Sequence, residues 1–566
     1  MGSSQRTVHA GDWRLATGHW PLATGLALAL CWCQDVVGKQ QDRIAPVIDT
    51  VIVVIDNVFP DEEAQSSLLA RSMNRFRIPT HEYVVRARLL FGTGEAYDSA
   101  RVEESARRLG ELQIFQEIEI DTIRIQDKLA VVVRVRDSWS TSPKLSVQVA
   151  SDGTMTGAVG VTESNLLGTG NLIHVALTKQ VDRNSTDLSG KFDRVVGDVD
   201  VDGMAQFQTD GRLGDWRIGS PFRNMEDRES IMFESEVADQ RVLQFRVGAG
   251  VPLDTTIFQR GAFLTRVTGA YAPQVSSRGF VRVGAMAQLR QERYALESVA
   301  SQMEIPDTVT GAVGTFVELR NARFKTLRRF NGLGREDIDL STVMRLSAWL
   351  APSVFGYDRT GIGPEITLQT AVSFPLGFVA GAVNANGLFT ANGLDSGQVE
   401  VSLTVGLKPA PAHATAFHVR AGALESTQPG REFDLGFDTP PRSWEPHSFV
   451  GTRSIWAVLE HRWYVADNLF NLLGVGFAAF AEYGGAWYPG QPKRFGGDAG
   501  LGLRMGSAVG ALPRTGRIDL GYRFGDGVTG DRLVLSLGAG FVFGASGDPS
   551  CQPQVYEVAD VCKSRR

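Results

Sequence analysis

The chain has 566 residues, a net charge of −6 and a mean hydropathy of −0.08. That balance offers no electrostatic footprint for a nucleic acid, and no run of ~20 apolar residues, the length of a membrane-spanning helix, follows the N-terminus. The four cysteines, Cys31, Cys33, Cys551 and Cys562, leave none in the body for a four-cysteine zinc site. Glycine fills 62 positions, roughly 11 % against a usual ~7 %, which suits strands and turns better than helices.

Residues 21–33 (PLATGLALALCWC) form an apolar run of 13 residues preceded by Arg14. It is too short to span a bilayer and fits the core of a signal peptide, so 1–40 reads as signal peptide and leader. Leu28-Ala29-Leu30 is a poor lipoprotein box before Cys31, which favours ordinary secretion. A polar linker follows. Thr50 to Ile55 (TVIVVI) is a dense β-branched strand. Residues 61–76 read as a helix with Leu68, Leu69 and Met73 at helical spacing. Thr80 can cap a second helix running to Phe91, which Gly92-Thr93-Gly94 breaks. Asp98 or Ser99 caps a third, with Val102, Ala106 and Leu109 on one stripe. Two strands follow, with Ile118, Ile120, Ile123 and Ile125 in one and Leu129, Val131, Val133 and Val135 in the other. Residues 47–137 are therefore expected to form a small α+β domain.

After Asp137 helical periodicity ends, and strands with period-two alternation run to residue 543. In the last strand Leu533, Leu535, Leu537, Ala539, Phe541 and Phe543 share one face, and Val534, Ser536, Gly538, Gly540 and Val542 the other. Just before it, Ile518, Leu520, Tyr522 and Phe524 alternate with Arg517, Asp519, Gly521 and Arg523. Such strands separate two solvents, and in a closed sheet that places lipid outside and water inside. Residues 144–543 are expected to form a transmembrane antiparallel β-barrel of about 16 strands, at roughly 25 residues per strand and turn. Polar stretches at 182–193, 210–229 and 321–339 read as loops or hairpin ends. A soluble sandwich or propeller is the alternative, its polar face meeting bulk water. Residues 544–566 form a tail, in which Cys551 and Cys562 either close a disulfide in an oxidising periplasm or stay as two free thiols.

The α+β domain followed by a barrel resembles the BamA/TamA superfamily of outer-membrane assembly and translocation proteins, in which polypeptide-transport-associated (POTRA) domains precede a 16-stranded barrel. The resemblance rests on LLFGTGEAYDSARVEESARRLGEL (89–112), on VVVRVRDSWSTSP (131–143), similar to the exit from the last POTRA domain, and on TESNLLGTGN (162–171), similar to the first barrel hairpin. It implies an outer-membrane barrel with a periplasmic POTRA domain. Two further motifs follow from it. The family's sixth extracellular loop carries an Arg-Gly-aromatic tip, to which Arg442, Ser443 and Trp444 correspond, with serine in place of glycine. The tip arginine pairs with the acid of a Phe-x-Asp-x-Gly strand motif, here Phe480, Glu482 and Gly484, with Glu in place of Asp. A planar guanidinium meets a carboxylate bidentately, so Arg442–Glu482 is the expected pair. Arg453 is the rival partner. The resemblance also implies a weak seam between the strand near 145–150 and the last strand, where Gly538 and Gly540 lower pairing stability and Phe543 stands for the terminal aromatic. The 23 residues past Phe543 depart from the many members that stop there.

No nucleophile elbow, phosphate loop or zinc-protease motif occurs, so no catalytic, cofactor-binding or metal-binding residue is expected. His81-Glu82 is read as a helix N-terminal pair, and Glu460 and Arg462 as lumen-facing, with His461 near an interface beside Trp463. Trp456, Trp463, Trp487 and Tyr488 suit an interfacial aromatic girdle or an ordinary core. The expected function is assembly or translocation of unfolded outer-membrane or secreted polypeptides by strand templating at the seam, in the lipid bilayer, with accessory periplasmic proteins as further partners. A dedicated transporter for one partner and a passive pore or structural protein remain the alternatives.

Overall fold

In a computed structural model the chain forms an N-terminal α+β unit and a closed β-barrel. The structure describes residues 46–539, except 127, 150–154, 181–182, 246–254, 298–307, 427, 437–438, 470–472, 508–514 and 529. The signal-peptide segment, Gly540, Phe543, Cys551 and Cys562 lie outside the described residues.

In the N-terminal unit, β1 (Ile48–Asp56) pairs in parallel with β3 (Lys128–Asp137), and β2 (Phe115–Ile125) runs antiparallel along the other side of β3. The sheet order β1-β3-β2 leaves β2 on an edge. Four helices connect β1 to β2: α1 (Asp61–Ser66), α2 (Leu68–Phe76), α3 (Glu82–Arg86) and α4 (Ser99–Glu111). The Asp98 side chain caps α4 by accepting from the Ala100 N–H at 2.8 Å. Val102 and Leu109 of α4 and Val85 of α3 are buried against Ile48, Val51, Val131, Val133 and Val135. The second helix expected from the sequence shrinks to α3, one short turn.

Twenty antiparallel strands close the barrel. They begin with β4 (Thr141–Val149), β5 (Met155–Leu166), β6 (Asn171–Lys179), β7 (Asn184–Val196), β8 (Val199–Gln208) and β9 (Gly211–Ser220). The long strands follow: β10 (Glu229–Phe245), β11 (Thr255–Ser276), β12 (Gly279–Leu296) and β13 (Thr308–Asn321). A short hairpin, β14 (Phe324–Arg328) with β15 (Arg335–Asp339), stands outside the wall. The wall resumes with β16 (Thr342–Ala351), β17 (Gly361–Phe374), β18 (Gly377–Thr390), β19 (Gly393–Ala410) and β20 (His413–Glu425). A second small hairpin, β21 (Phe433–Leu435) with β22 (Phe449–Gly451), precedes β23 (Arg453–Leu469), β24 (Leu473–Trp487), β25 (Gly496–Ser507), β26 (Gly516–Gly525) and β27 (Leu533–Ala539).

The count corrects the expectation of about 16 strands. Two of the stretches read as loops or hairpin ends, 182–193 and 210–229, hold most of β7 and all of β9. Their inward positions carry Asp187, Ser189 and Lys191 or Asp215 and Arg217, so a wall that faces a polar interior looks like a loop when scored by polarity. The outer surface is apolar: Leu520 and Tyr522 of β26 and Leu533 and Leu535 of β27 are exposed, whereas Asp519, Arg523, Val534 and Ser536 are buried inside. No described helix is long and apolar enough to cross a membrane.

The N-terminal unit is strapped to one rim of the barrel, here termed proximal. The β5–β6 turn docks beneath the link from α2 to α3. The His81 N–H donates to the Gly168 carbonyl at 2.9 Å. Asn165 Nδ2 donates to Thr80 Oγ1 at 2.8 Å, and Thr80 Oγ1 donates to Asp137 Oδ1 at 2.7 Å. Asp137 also accepts from the Thr80 N–H and from Arg77. The motif at 162–171, expected in the first barrel hairpin, therefore lies in the second: it spans the end of β5, the turn that carries the strap and the first residue of β6. Removing the buried Asn165 side chain orphans two partners, at about 1–3 kcal/mol each. Asn165→Ala is expected to speed hydrogen exchange at the His81 amide while leaving the β10–β11 amides unchanged; equal protection at His81 would show that the turn is held elsewhere.

Candidate functional site

Between β20 and β23 a 27-residue excursion, 426–452, leaves the distal rim and folds back into the barrel. Its root is fastened to one wall. Arg290 donates to Gln428 Oε1 at 3.1 Å, and Glu432 accepts from the Phe245 N–H at 3.2 Å and from the Tyr488 hydroxyl. Its tip, Pro441–Glu445, reaches the opposite wall.

At that tip Arg442 is fully buried. Its Nε donates to Glu482 Oε1 at 2.6 Å, its Nη2 to Glu460 Oε2 at 2.8 Å and its Nη1 to Asp519 Oδ2 at 2.9 Å. The Arg442 main-chain N–H donates to the second Glu482 oxygen at 2.6 Å, so that carboxylate grips both backbone and side chain. The guanidinium lies 4.1 Å over the Phe480 ring. The next main-chain N–H, of Ser443, donates to Asp498 Oδ2 at 2.6 Å, and Trp444 Nε1 donates to the Gly497 carbonyl at 2.9 Å.

The four carboxylates come from four consecutive strands: Glu460 on β23, Glu482 on β24, Asp498 on β25 and Asp519 on β26. Glu482 and Asp498 are direct cross-strand neighbours. Further arginines interleave with them. Arg462 Nε donates to Glu460 at 2.6 Å, and Arg504 bridges Glu460 at 3.0 Å and Asp519 at 2.5 Å. Arg517 Nη1 stands 3.6 Å from Asp519. Arg442, Arg462, Arg504 and Arg517 thus stand against Glu460, Glu482 and Asp519, as buried ions need, while Asp498 is met by the Ser443 N–H.

Small residues make room for the tip. A Cβ at Gly521 would stand 2.0 Å from Ser443 Oγ, and one at Gly496 would stand 2.4 Å from the Trp444 ring and 2.5 Å from Phe449. Gly484 serves the wall itself, since a Cβ there would meet Trp456 Cβ at 2.4 Å. Phe480, Glu482 and Gly484 all face inward, two residues apart along β24.

Arg442, Ser443, Trp444, Glu482 and Gly484, singled out from the sequence, are thus brought to one place. Arg453 is elsewhere: its Nη1 donates to the Leu424 and Thr452 carbonyls at the root of the excursion. Glu460 and Arg462 are not bystanders on the lumen wall but members of the cluster, and sequence reasoning missed that role, as it missed Asp498 and Arg504. The available signal was inward charges on each of the last four wall strands. His461 points outward and takes part in none of this, bonding His413 and Thr415. Trp463 and Tyr483 are exposed on the outer surface, whereas Trp456 is buried inside.

The strand ends meet at a second notable place. Among the described residues, β4 and β27 pair only at Val147–Leu537 and Gln148–Ser536. By contrast the adjacent β26–β27 ladder runs unbroken from Gly516–Ala539 to Tyr522–Leu533. Gly538 lies in β27 opposite Arg517, where a Cβ would stand 2.6 Å from the Arg517 Nε.

No family model matches this chain, and no curated protein does. Among solved structures the chain is similar to BamA from Haemophilus ducreyi lacking POTRA domains 1–3, with 12 % identity over 87 % of this chain and 84 % of that one and a TM-score of 0.37. It is similar to CdiB from Escherichia coli, with 10 % identity over 93 % of this chain and 100 % of that one and a TM-score of 0.44. It is also similar to CdiB from Acinetobacter baumannii, with 11 % identity over 88 % and 74 % of the two chains and a TM-score of 0.40.

Because Arg442 engages three carboxylates, exchanging it with Glu482 alone would set a new carboxylate beside Glu460 and Asp519. Truncation is the sharper test. Arg442→Ala leaves a buried cluster of carboxylates under-compensated, with an expected cost of about 3–5 kcal/mol. Arg442→Lys is expected to recover only a small part, because an ammonium lacks the fork that reaches three acids. Urea unfolding followed by heat-modifiability on gels, with protease cleavage within 426–452, reads both effects. Full rescue by lysine would show that charge alone, not geometry, holds the tip.

Proposed function

We propose that this chain is an outer-membrane barrel that inserts or translocates polypeptides, its N-terminal unit a periplasmic POTRA domain. The observation that carries the reading is the β4–β27 joint, at which the barrel closes between its first and last strands. A closed barrel normally removes sheet edges, since unpaired N–H and C=O groups in lipid are costly. A wall closed by pairing its first strand with its last keeps a site where two edges can be exposed by parting a single joint. Those edges offer main-chain donors and acceptors to an incoming strand, which is β-augmentation and needs no catalytic side chain. In this scheme Gly538 weakens the last strand.

The remaining geometry supports the scheme. The outer wall is apolar and the inner wall charged, as a barrel in lipid requires. The N-terminal unit offers a second edge in β2, whose Ile123 and Ile125 are exposed, where an extended client segment can add to the sheet. The excursion 426–452 fills the lumen and holds the strands next to the seam, β23 to β26, in one rigid block. That leaves β27 as the strand free to part from β4. An open passive pore is the reading with least support, because Trp444, Phe449 and Arg442 occupy the lumen.

The test is depletion of the protein in its native host, with quantitative proteomics of outer membrane and medium. The host is then complemented by wild type or by a seam-locked variant carrying Val147→Cys and Leu537→Cys. Loss of many unrelated barrels marks a general assembly factor, and loss of one secreted protein marks a dedicated transporter. The locked variant is expected to fail until reductant is added, while a control lock in the long β12–β13 ladder, Ala285→Cys with Thr315→Cys, complements normally. No change in either fraction on depletion would refute the polypeptide reading, and normal complementation by the locked seam would refute strand templating.

A further inference from the structure

The polar stretch 321–339, read from the sequence as a loop or hairpin end, overlaps a segment, 322–341, that forms a small hairpin. The wall strands it connects meet directly, because Asn321 of β13 is paired with Thr342 of β16. Two residues are enough to turn such a corner, as they do at the same rim between β11 and β12, β17 and β18, and β19 and β20. Here the chain spends 20 residues. The additional chain forms the β14–β15 hairpin and turns its apolar side chains into the barrel. Phe330, Ile338 and Leu340 are buried, and the Phe330 ring meets Phe378 edge-on at 5.6 Å. They belong to the same apolar cluster as Trp444 and Phe449 of the distal excursion.

The hairpin is held in a specific way. Wall side chains donate to main-chain carbonyls of its tip. Arg462 Nη1 and Thr515 Oγ1 reach the Asn331 carbonyl at 2.9 and 3.1 Å, the Tyr464 hydroxyl reaches Phe330 at 3.2 Å, and Lys408 Nζ reaches Arg329 at 3.1 Å. Glu336 closes the tip by accepting from the Asn331 and Gly332 N–H groups at 2.8 and 2.7 Å. Arg462 is the shared member: it serves this hairpin with one nitrogen and Glu460 of the Arg442 cluster with another. Outside the lumen, Arg107 of α4 lies 4.6 Å over the Phe324 ring, at the hairpin's first residue.

We propose that 322–341 is a second, proximal plug: an inward-folded hairpin that closes the lumen from the side of the N-terminal unit and is displaced when a polypeptide passes. The barrel then carries two closures in series, the distal excursion fixed by Arg442 and the proximal hairpin fixed through Arg462. The Arg107–Phe324 contact gives the N-terminal unit a direct hold on the proximal one. Closure stands on the geometry alone, whereas displacement during transport rests on the polypeptide reading above.

Two experiments separate these parts. Closure is read in planar bilayers with full-length protein. Replacing 322–341 by Asn-Gly joins the strands in their existing register. Arg442→Ala combined with that replacement is expected to conduct about tenfold more than Arg442→Ala alone, because a dewetted apolar constriction has been removed. Equal conductance of the two, both heat-modifiable on gels, would overturn the plug. Displacement is read with Leu333→Cys and Gly506→Cys, in a background with the native cysteines changed to serine. A Cβ at Gly506 would stand 3.5 Å from Leu333 Cγ, within reach of a disulfide. In the depletion host the tethered chain is expected to complement only with reductant, while each single-cysteine variant complements throughout. Normal complementation by the oxidised tether would overturn displacement. A host that shows no depletion phenotype at all would instead count against the polypeptide reading and leave the conductance result standing.

Discussion

A buried guanidinium demands compensation, and in this barrel that demand organises the interior. Arg442 arrives at the end of a 27-residue excursion and gives up its hydration inside the lumen. Desolvation of that size is tolerated only where opposite charges and hydrogen bonds converge. Four consecutive strands each contribute one carboxylate to the place where they are needed, and three further arginines keep those carboxylates balanced. The excursion is therefore fixed at its tip by charge and at its root by Gln428 and Glu432, with glycine on the facing wall to admit Ser443 and Trp444.

The same cluster divides the wall into parts of unequal stiffness. Strands β23 to β26 are bound to one another through the ladder and again through Arg442, Arg462 and Arg504. Strand β27 contributes none of these charged residues: among the described residues it is laddered to β26 on one side and meets β4 on the other. A barrel has to break somewhere if a strand is to enter, and cross-linking by buried ion pairs decides where it will not. On the proposed reading the lumen plugs and the seam are one design, since a wall that opens laterally is safe only if the lumen does not leak when it does so. Arg462 joins the two plugs, with one nitrogen on the acid cluster and another on the carbonyl of Asn331.

The N-terminal unit is attached to the barrel at several points, among them ion pairs of Arg88 with Asp193 of β7 and of Arg101 with Glu226 at 2.9 Å. The strap through Asn165, Thr80 and Asp137 links it to the β5–β6 turn, close in sequence to the seam strand β4. The Arg107–Phe324 contact links it to the proximal hairpin on another part of the rim. A force or a bound segment on its sheet can therefore be felt at both places, which single attachment through the β3–β4 connection would not allow.

Period-two alternation by itself determined which residues share a face, because side-chain direction along a strand depends on nothing beyond the strand. The alternation of Leu520 and Tyr522 with Asp519 and Arg523 set an apolar face against a charged one, and closure of the wall decided that the apolar face is the outer one. The Phe480-x-Glu482-x-Gly484 pattern and the tip at Arg442 were legible through a family resemblance. The number of strands was not, since β7 and β9 are polar enough to pass for loops once their inner face meets a polar lumen. Nor was the membership of Glu460, Asp498, Asp519 and Arg504 in one cluster, because it depends on the register of four separate strands. Only the tertiary structure decided that 322–341 folds inward: a short hairpin with apolar side chains gains nothing on its own, and finds its buried surface only after the wall around it has closed.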